Sequence, residues 1–280
     1  RPDATVWYSD PTWPNHPAIL KELGIPSRTY RYYNAASGAV AFDAMQEDLK
    51  AAKPGDVVIL HACCHNPTGA NLSGDQWAAL TDSFAAADLL PFVDLAYQGF
   101  GDGLEADVAG MRHMAAKLPE MMIAASCSKN FGLYRDRVGA ALVIGRDAAE
   151  TKVAEGNLGA LNRLNFSFPP DHGAKVVSII LHDAELRADW IAELEAMRLR
   201  MLDLRQALTD ALRRESNSGR FDYIAAHRGM FTQLGGTVEK VLKLREDHAT
   251  YMVGTGRINI AGLPADGMDK LAKAIIASGI

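Results

Sequence analysis

The sequence predicts an α/β fold: a mostly parallel sheet covered by helices over residues 1–190, then a smaller α+β domain over residues 191–280. Three observations carry this prediction. Short apolar runs alternate with helical patterns through the first two thirds of the chain. Those runs are almost continuously hydrophobic, as strands buried on both faces are. Beyond them a long amphipathic stretch without glycine or proline marks a change of pattern.

The strand-like runs are "TVWY" (Thr5–Tyr8), "TYRYY" (Thr29–Tyr33), "VVILHA" (Val57–Ala62), "LPFVDLA" (Leu90–Ala96), "MMIAAS" (Met121–Ser126) and "VGAALVIG" (Val138–Gly145). Helical patterns follow Phe42, Asp75 and Asp107. Strand–helix alternation of this kind gives crossover connections and so parallel strands. The uninterrupted run Asp183–Glu215 predicts one long helix that joins the two domains, and "SNSGR" ends it. Shorter elements follow: "FDYIAA", "MFTQLGG", a helix over Val238–Asp247, "YMV", "RINIAG" and a last helix from Pro264.

Composition narrows the function. The 280 residues suffice for a large domain and a small one. Hydrophobic residues make up 48% and charged residues 22%, a globular balance. A formal net charge of -5 with no basic run gives no reason to expect a nucleic-acid partner. No apolar stretch is long enough to span a bilayer, so no membrane partner is expected. The first residues, "RPDATVWYSD", contain no hydrophobic signal core, and the expected location is the cytoplasm. Cys63, Cys64 and Cys127 do not make a disulfide framework, which agrees with a reducing compartment. The first residues already read as a strand and carry no initiator Met, so the chain is expected to begin inside a domain.

Three polar clusters end strand-like runs: "HACCHNPTG" (His61–Gly69), "VDLAYQGFGDG" (Val93–Gly103) and "SCSKNFGLYRDRVG" (Ser126–Gly139). In a parallel sheet all three lie along one edge, where ligands of open α/β sheets bind. The third cluster raises a specific question about Lys129. A lone buried ammonium is costly unless it is paired or loses its charge. A polar loop with solvated charges is the plain explanation. The sharper one is that Lys129 is neutralised as an imine while Ser126, Ser128 and Arg137 hold an anion beside it. Asp94 alone would read as a turn cap. Beside Tyr97 and the lysine cluster it reads as a pocket carboxylate for a cationic ring nitrogen. "HACCH" supplies zinc-type ligands, but side chains alternate along a strand and cannot converge on one ion. No metal is expected there, and the cysteines read as small core residues. Trp13, in a proline-rich turn predicted after the first strand-like run, suits either core packing or stacking on a flat ligand. Arg257 is either a solvated surface arginine or a bidentate carboxylate clamp.

Taken in order, "SDPTWPNH", "HNPTG", "DLAYQGF", "SCSKNFGLYRDRVG" and "GRINIAG" resemble the aspartate and aromatic amino acid aminotransferases, the fold-type I family that uses pyridoxal 5'-phosphate. The likeness spans the whole chain, and "GDGLE" and "RLNFSFPPDHG" place it nearest the bacterial aromatic enzymes. The resemblance implies a role for each motif residue. Lys129 would join the cofactor aldehyde and act as the base. Ser126, Ser128 and Arg137 would hold its phosphate. Asp94 would keep the ring nitrogen protonated, with His16 behind it. Tyr97 and Asn66 would donate to the ring oxygen, and Trp13 would stack on the ring. Arg257 would clamp the substrate α-carboxylate. Arg163, in "LNRLNFSFPP", would bind the distal carboxylate of a dicarboxylic substrate from the neighbouring subunit of a homodimer.

The implied reaction is ping-pong transfer of an amino group between aromatic or dicarboxylic L-amino acids and 2-oxo acids such as 2-oxoglutarate. An aspartate-preferring enzyme is the nearest alternative. A different reaction on the same cofactor, such as β-elimination or decarboxylation, would have less use for both Arg257 and Arg163. The family's N-terminal portion, with its Gly-rich phosphate turn, partner-embracing arm and tyrosine for the partner's phosphate, is expected to be absent from these residues. An inactive truncated fragment therefore also stays open.

Overall fold

A computed structural model describes residues 3–280. The chain opens with strand β1 (Val6–Asp10), helix α1 (Asn15–Glu22) and strand β2 (Ser27–Arg31). A small hairpin, β3 (Tyr33–Asn34) with β4 (Ala39–Val40), leads into α2 (Phe42–Leu49), β5 (Val57–His61) and α3 (Gly74–Ala87). Next come β6 (Leu90–Leu95), α4 (Ala109–Lys117), β7 (Met121–Ser126) and β8 (Gly139–Ile144). Two helices, α5 (Ala148–Phe166) and α6 (His172–His182), precede the long α7 (Ala184–Ser216). The last part holds α8 (Tyr223–Ala226), β9 (Phe231–Gln233), α9 (Val238–His248), β10 (Arg257–Asn259) and α10 (Met268–Ala277).

One six-stranded sheet has the order β2-β1-β5-β6-β7-β8. Its first five strands are mutually parallel, and β8 runs antiparallel to β7. β5 lies inside the sheet and is buried along its whole length, which is why "VVILH" is so uniformly apolar. The chain leaves β1 toward β2 and later returns to build β5, β6 and β7 on β1's other side. A crevice forms at such a reversal, beyond the carboxyl ends of the strands. Two local devices frame the sheet. Ser73 and Gln76 close a capping box that starts α3. Asp56 accepts the Trp7 indole N–H at 3.0 Å and the Thr5 N–H at 2.9 Å, tying β1 to the start of β5.

The hydrophobic interior separates into two main clusters. The larger surrounds the sheet and includes Leu60, Leu80, Val93 and Met121. The smaller gathers Leu208, Leu212, Ile224, Leu244 and Ile275 in the C-terminal part. α7 serves both: Leu194 and Met201 belong to the first, Leu204, Leu208 and Leu212 to the second. Each such fully buried leucine contributes about 2–3 kcal/mol of apolar burial.

Three regions differ from the sequence expectation, the smallest being "YMV", which forms no regular element. "PNHPAILKE" forms a helix where a proline-rich turn is predicted. Pro14 caps it and Pro17 sits in its first turn, where a missing N–H costs nothing. Residues 148–182, to which the sequence reading assigns no element, form α5 and α6. α5 buries none of its side chains and contains Gly156 and Gly159, so it carries no apolar stripe to announce it.

Candidate active site

The carboxyl ends of β5, β6 and β7 and the loop after β1 surround a cavity of about 260 Å³. Trp13, Asn66, Asp94, Tyr97, Lys129 and Arg137 line it, with Ser126 and Ser128 at one end. The antiparallel β8 matters here. Its first residue, Gly139, pairs with Ser126, so Arg137 is returned to the edge where β7 ends. Arg137 holds a left-handed φ of 56°, and its guanidinium donates to the Tyr134 carbonyl at 2.6 Å. A non-glycine residue in that region carries strain of order 1 kcal/mol, a feature that concentrates at functional sites.

Asp94 is the penultimate residue of β6, with its carboxylate at the cavity. His16 Nε2 lies 3.1 Å from its Oδ2, and His16 Nδ1 is held by Thr12 Oγ1 at 2.9 Å. Burial pushes the Asp94 carboxyl up. The His16 hydrogen bond and the electrostatic influence of the neighbouring His61, His16 and Lys129 outweigh that push and hold it below the ordinary carboxylate range. The site therefore keeps a buried anion at neutral pH.

Lys129 faces this anion. Its Nζ stands 5.0 Å from the centre of the Tyr97 ring and 6.0 Å from that of Tyr134. Burial lowers its pKa, Arg137 lowers it further, and Asp94 opposes both. An amine shifted in that direction is better suited to accept a proton. Burial and the Asp94 charge push the Tyr97 hydroxyl up to about 12, so it stays a donor. Asn66 Nδ2 donates to that hydroxyl at 3.5 Å, and Arg257 Nη1 donates to Asn66 Oδ1 at 3.0 Å. Arg257 also lies over the Phe231 ring at 4.6 Å. One carboxylate, one amine and one cationic corner thus face a common space.

The profile of the "Aminotransferase class I and II" family matches residues 1–275. The chain belongs to this aminotransferase family. The aromatic-amino-acid aminotransferase of Paracoccus denitrificans is 55% identical over 279 residues, covering 100% of this chain and 71% of that protein. The aspartate aminotransferase of Escherichia coli (strain K12) is 43% identical over 97% of this chain and 69% of its own length. A solved aromatic-amino-acid aminotransferase from Burkholderia pseudomallei, covalently bound to pyridoxal phosphate, superposes with a TM-score of 0.96. It is 42% identical, covering 99% of this chain and 70% of that one.

In this class I and II aminotransferase, the fold brings together ten of the residues singled out from sequence: Trp13, His16, Asn66, Asp94, Tyr97, Ser126, Ser128, Lys129 and Arg137 about the cavity, and Arg257 beside it through Asn66. Arg163 is not among them. It projects from exposed α5, with its guanidinium 5.0 Å from the centre of the Phe168 ring. The donor set fits pyridoxal phosphate: an amine for the aldehyde, a buried carboxylate for the ring nitrogen, and two hydroxyls with a guanidinium for the phosphate.

Tyr134 and Thr12 also belong to the site, and the sequence does not mark them. Each sits within a quoted motif, but nothing local shows that it faces the site. His61 figures in the sequence only within the zinc-type set of "HACCH", where no metal is expected. "HACCH" in fact splits. His61 and His65 meet at 4.4 Å on the Asp94 side, while Cys63 and Cys64 lie with Asp107. Asp107 is already engaged by the N–H groups of Gly99, Gly101 and Asp102. Both His61 nitrogens are buried without a hydrogen-bond partner among the described residues, and burial pulls its pKa down to about 4.

His227, whose Nε2 lies 2.6 Å from the Gly38 carbonyl, is likewise lowered by burial to about 4. Unfolded, both imidazoles take a proton near their ordinary 6.5; folded, they refuse it until about 4. The unfolded chain then binds more protons, so stability falls as pH drops from about 6.5 to about 4 and levels below. Each histidine contributes on the order of 3 kcal/mol to that loss. Urea midpoints at about pH 7 and about pH 5 test this; equal midpoints would refute it.

Proposed function

We propose that this site transfers an amino group between aromatic or dicarboxylic L-amino acids and 2-oxo acids, with pyridoxal 5'-phosphate as cofactor. The observation that carries the reading is the Lys129–Asp94 pair across one buried cavity, with the amine lowered and the carboxyl held ionised. When bound, pyridoxal phosphate supplies an aldehyde that takes up amino groups and a ring that accepts electrons from the substrate α-carbon.

The protein's own residues do the rest. Ser126, Ser128 and Arg137 hold the phosphate in the cationic corner. Asp94, fixed by His16, holds a proton at the ring nitrogen. Tyr97 and Asn66 donate to the ring oxygen, and Trp13 covers the ring face. Arg257 takes the substrate α-carboxylate in its fork. Lys129, as a neutral amine, would take the α-proton and pass it on. The first oxo acid leaves before the second binds, giving ping-pong kinetics.

A homodimer with shared sites belongs to the same reading. Arg163 stands on an exposed helix whose neighbours Leu161, Leu164, Phe166 and Phe168 are also exposed, and apolar surface of this kind suits a partner. From the second subunit Arg163 would meet the distal carboxylate. Arg163→Ala is expected to lower aspartate turnover about 10²-fold and phenylalanine turnover by less than about threefold. Equal losses for the two substrates would remove Arg163 from the site. The two hydrophobic cores support a large and a small domain joined through α7. The three free cysteines are consistent with the cytoplasm.

The test is direct. Pyridoxal phosphate is added, the adduct is reduced with borohydride, and the labelled peptide is mapped by mass spectrometry. Label on Lys129, together with amino transfer from phenylalanine that depends on 2-oxoglutarate, is the expected result. Label scattered over surface lysines, or ammonia release without an oxo-acid requirement, would refute the reading.

A further inference from the structure

Arg205 lies at the middle of α7 with its side chain fully buried, 0% exposed. Among the described residues no Asp or Glu pairs with it. Its guanidinium instead donates to four backbone carbonyls: Ile224 at 3.1 Å, Arg228 at 3.1 Å, Gly229 at 2.8 Å and Phe231 at 2.7 Å. Burial pulls its pKa down to about 10, which leaves it charged at neutral pH. A buried cation without a counter-charge is a costly way to fill a core. What it gains here is geometric: one rigid fork gathers a whole turn of chain onto the helix.

The gathered segment leads to the site. Phe231 begins β9, and β9 pairs with β10 in the register Arg257 to Gln233 and Asn259 to Phe231. The Phe231 ring lies under the Arg257 guanidinium at 4.6 Å and meets the Tyr97 ring edge-on at 6.3 Å. The same segment is seated on the large sheet's loops. Arg228 N–H donates to the Gly69 carbonyl at 2.9 Å. A Cβ on Gly69 would stand 2.5 Å from the Phe231 carbonyl oxygen, so the two backbones touch. Residues 228–231 are therefore clamped between Arg205 on one side and the "HNPTG" loop on the other.

We propose that Arg205 is a positioning residue for substrate recognition: by fixing the carbonyls of residues 224–231 it sets where Phe231 and β10 hold Arg257. It touches neither substrate nor cofactor. The proposal rests on Arg257 being the clamp for the substrate carboxylate.

Arg205→Lys keeps the charge but offers one compact ammonium, which cannot span the four carbonyls. The probe is 3-phenylpropionate, a carboxylate with no amino or oxo group to react, titrated into cofactor-loaded wild type and variants. Arg205→Lys is expected to weaken its Kd and to raise the phenylalanine KM about tenfold each, with kcat changed less than about threefold. Borohydride labelling of Lys129 stays at the wild-type level. In an Arg257→Ala background the same change adds nothing to the Kd, because the group it positions is gone.

An unchanged Kd in Arg205→Lys overturns the proposal. So does a loss that persists undiminished in the Arg257→Ala background, which would mark a general packing role. Should Arg205→Lys fail to fold, Phe231→Leu replaces it: weakened carboxylate binding supports the positioning route and an unchanged Kd overturns it. If Arg257→Ala alone leaves the Kd of wild type unaltered, the clamp assignment itself is wrong and the proposal falls with it.

Discussion

Lys129→Ala is expected to lower amino transfer by at least about 10⁴-fold, the largest effect of any single change in this chain. On the proposed reading two functions would disappear together: the attachment point for the cofactor and the base that moves the α-proton. The surrounding geometry says which property of Lys129 matters. Burial and Arg137 lower its pKa, and the Asp94 charge opposes them. Such an environment favours an amine that can shed its proton. Lys129→Arg separates charge from basicity, because a guanidinium keeps its proton. It should be as inactive as the alanine variant, while both remain folded by far-ultraviolet circular dichroism. Substantial turnover in Lys129→Arg would mean that a fixed cation suffices, and the proton-transfer role would be lost.

Asp94→Asn is expected to have the next largest effect. The amide keeps the size of the carboxyl and can still accept from His16, whose Nε2 lies 3.1 Å from Asp94 Oδ2. What vanishes is the negative charge that, on the proposed reading, would face the ring nitrogen. Removing one member of a buried charge pair costs about 2–5 kcal/mol, or about thirtyfold to several thousandfold in turnover. The acid side of the pH profile should report the same group. Asp94 is held below the ordinary carboxylate range, so its contribution is complete at neutral pH and fades only in acid, as it is protonated. Unaltered turnover in Asp94→Asn would show that the ring nitrogen needs no anion here. His16→Ala offers a milder version, since it removes the hydrogen bond that helps keep Asp94 ionised.

Much of this site was legible in the chain before it was folded. β5, β6 and β7 are apolar runs ended by polar clusters, and a parallel sheet puts such clusters along one edge. Lys129 and Asp94 stand out because ionisable groups at the ends of buried strands require an explanation. The family motifs then assigned each residue a role that spacing alone could not. α5 was not legible, because a helix that buries nothing has no apolar periodicity. His61 belongs to a zinc-type set that strand alternation argues against, and only the fold shows it packed beside His16, with ring centres 5.2 Å apart.

The sequence by itself determined the α/β class, the strand-end clusters and the residue types of an amino-transfer site. These follow from local rules: apolar runs seek burial, and glycine, proline and polar residues turn the chain. The tertiary structure decided which distant groups meet. The antiparallel pairing of β8 returns Arg137 to Ser126. Docking of the C-terminal part brings Arg257 within 3.0 Å of Asn66, across 191 positions of sequence. Arg205, a helix residue with no motif around it, becomes the fork that holds four carbonyls. Such meetings depend on register between strands and on packing of one core against another, and neither quantity is written in any short stretch of the chain.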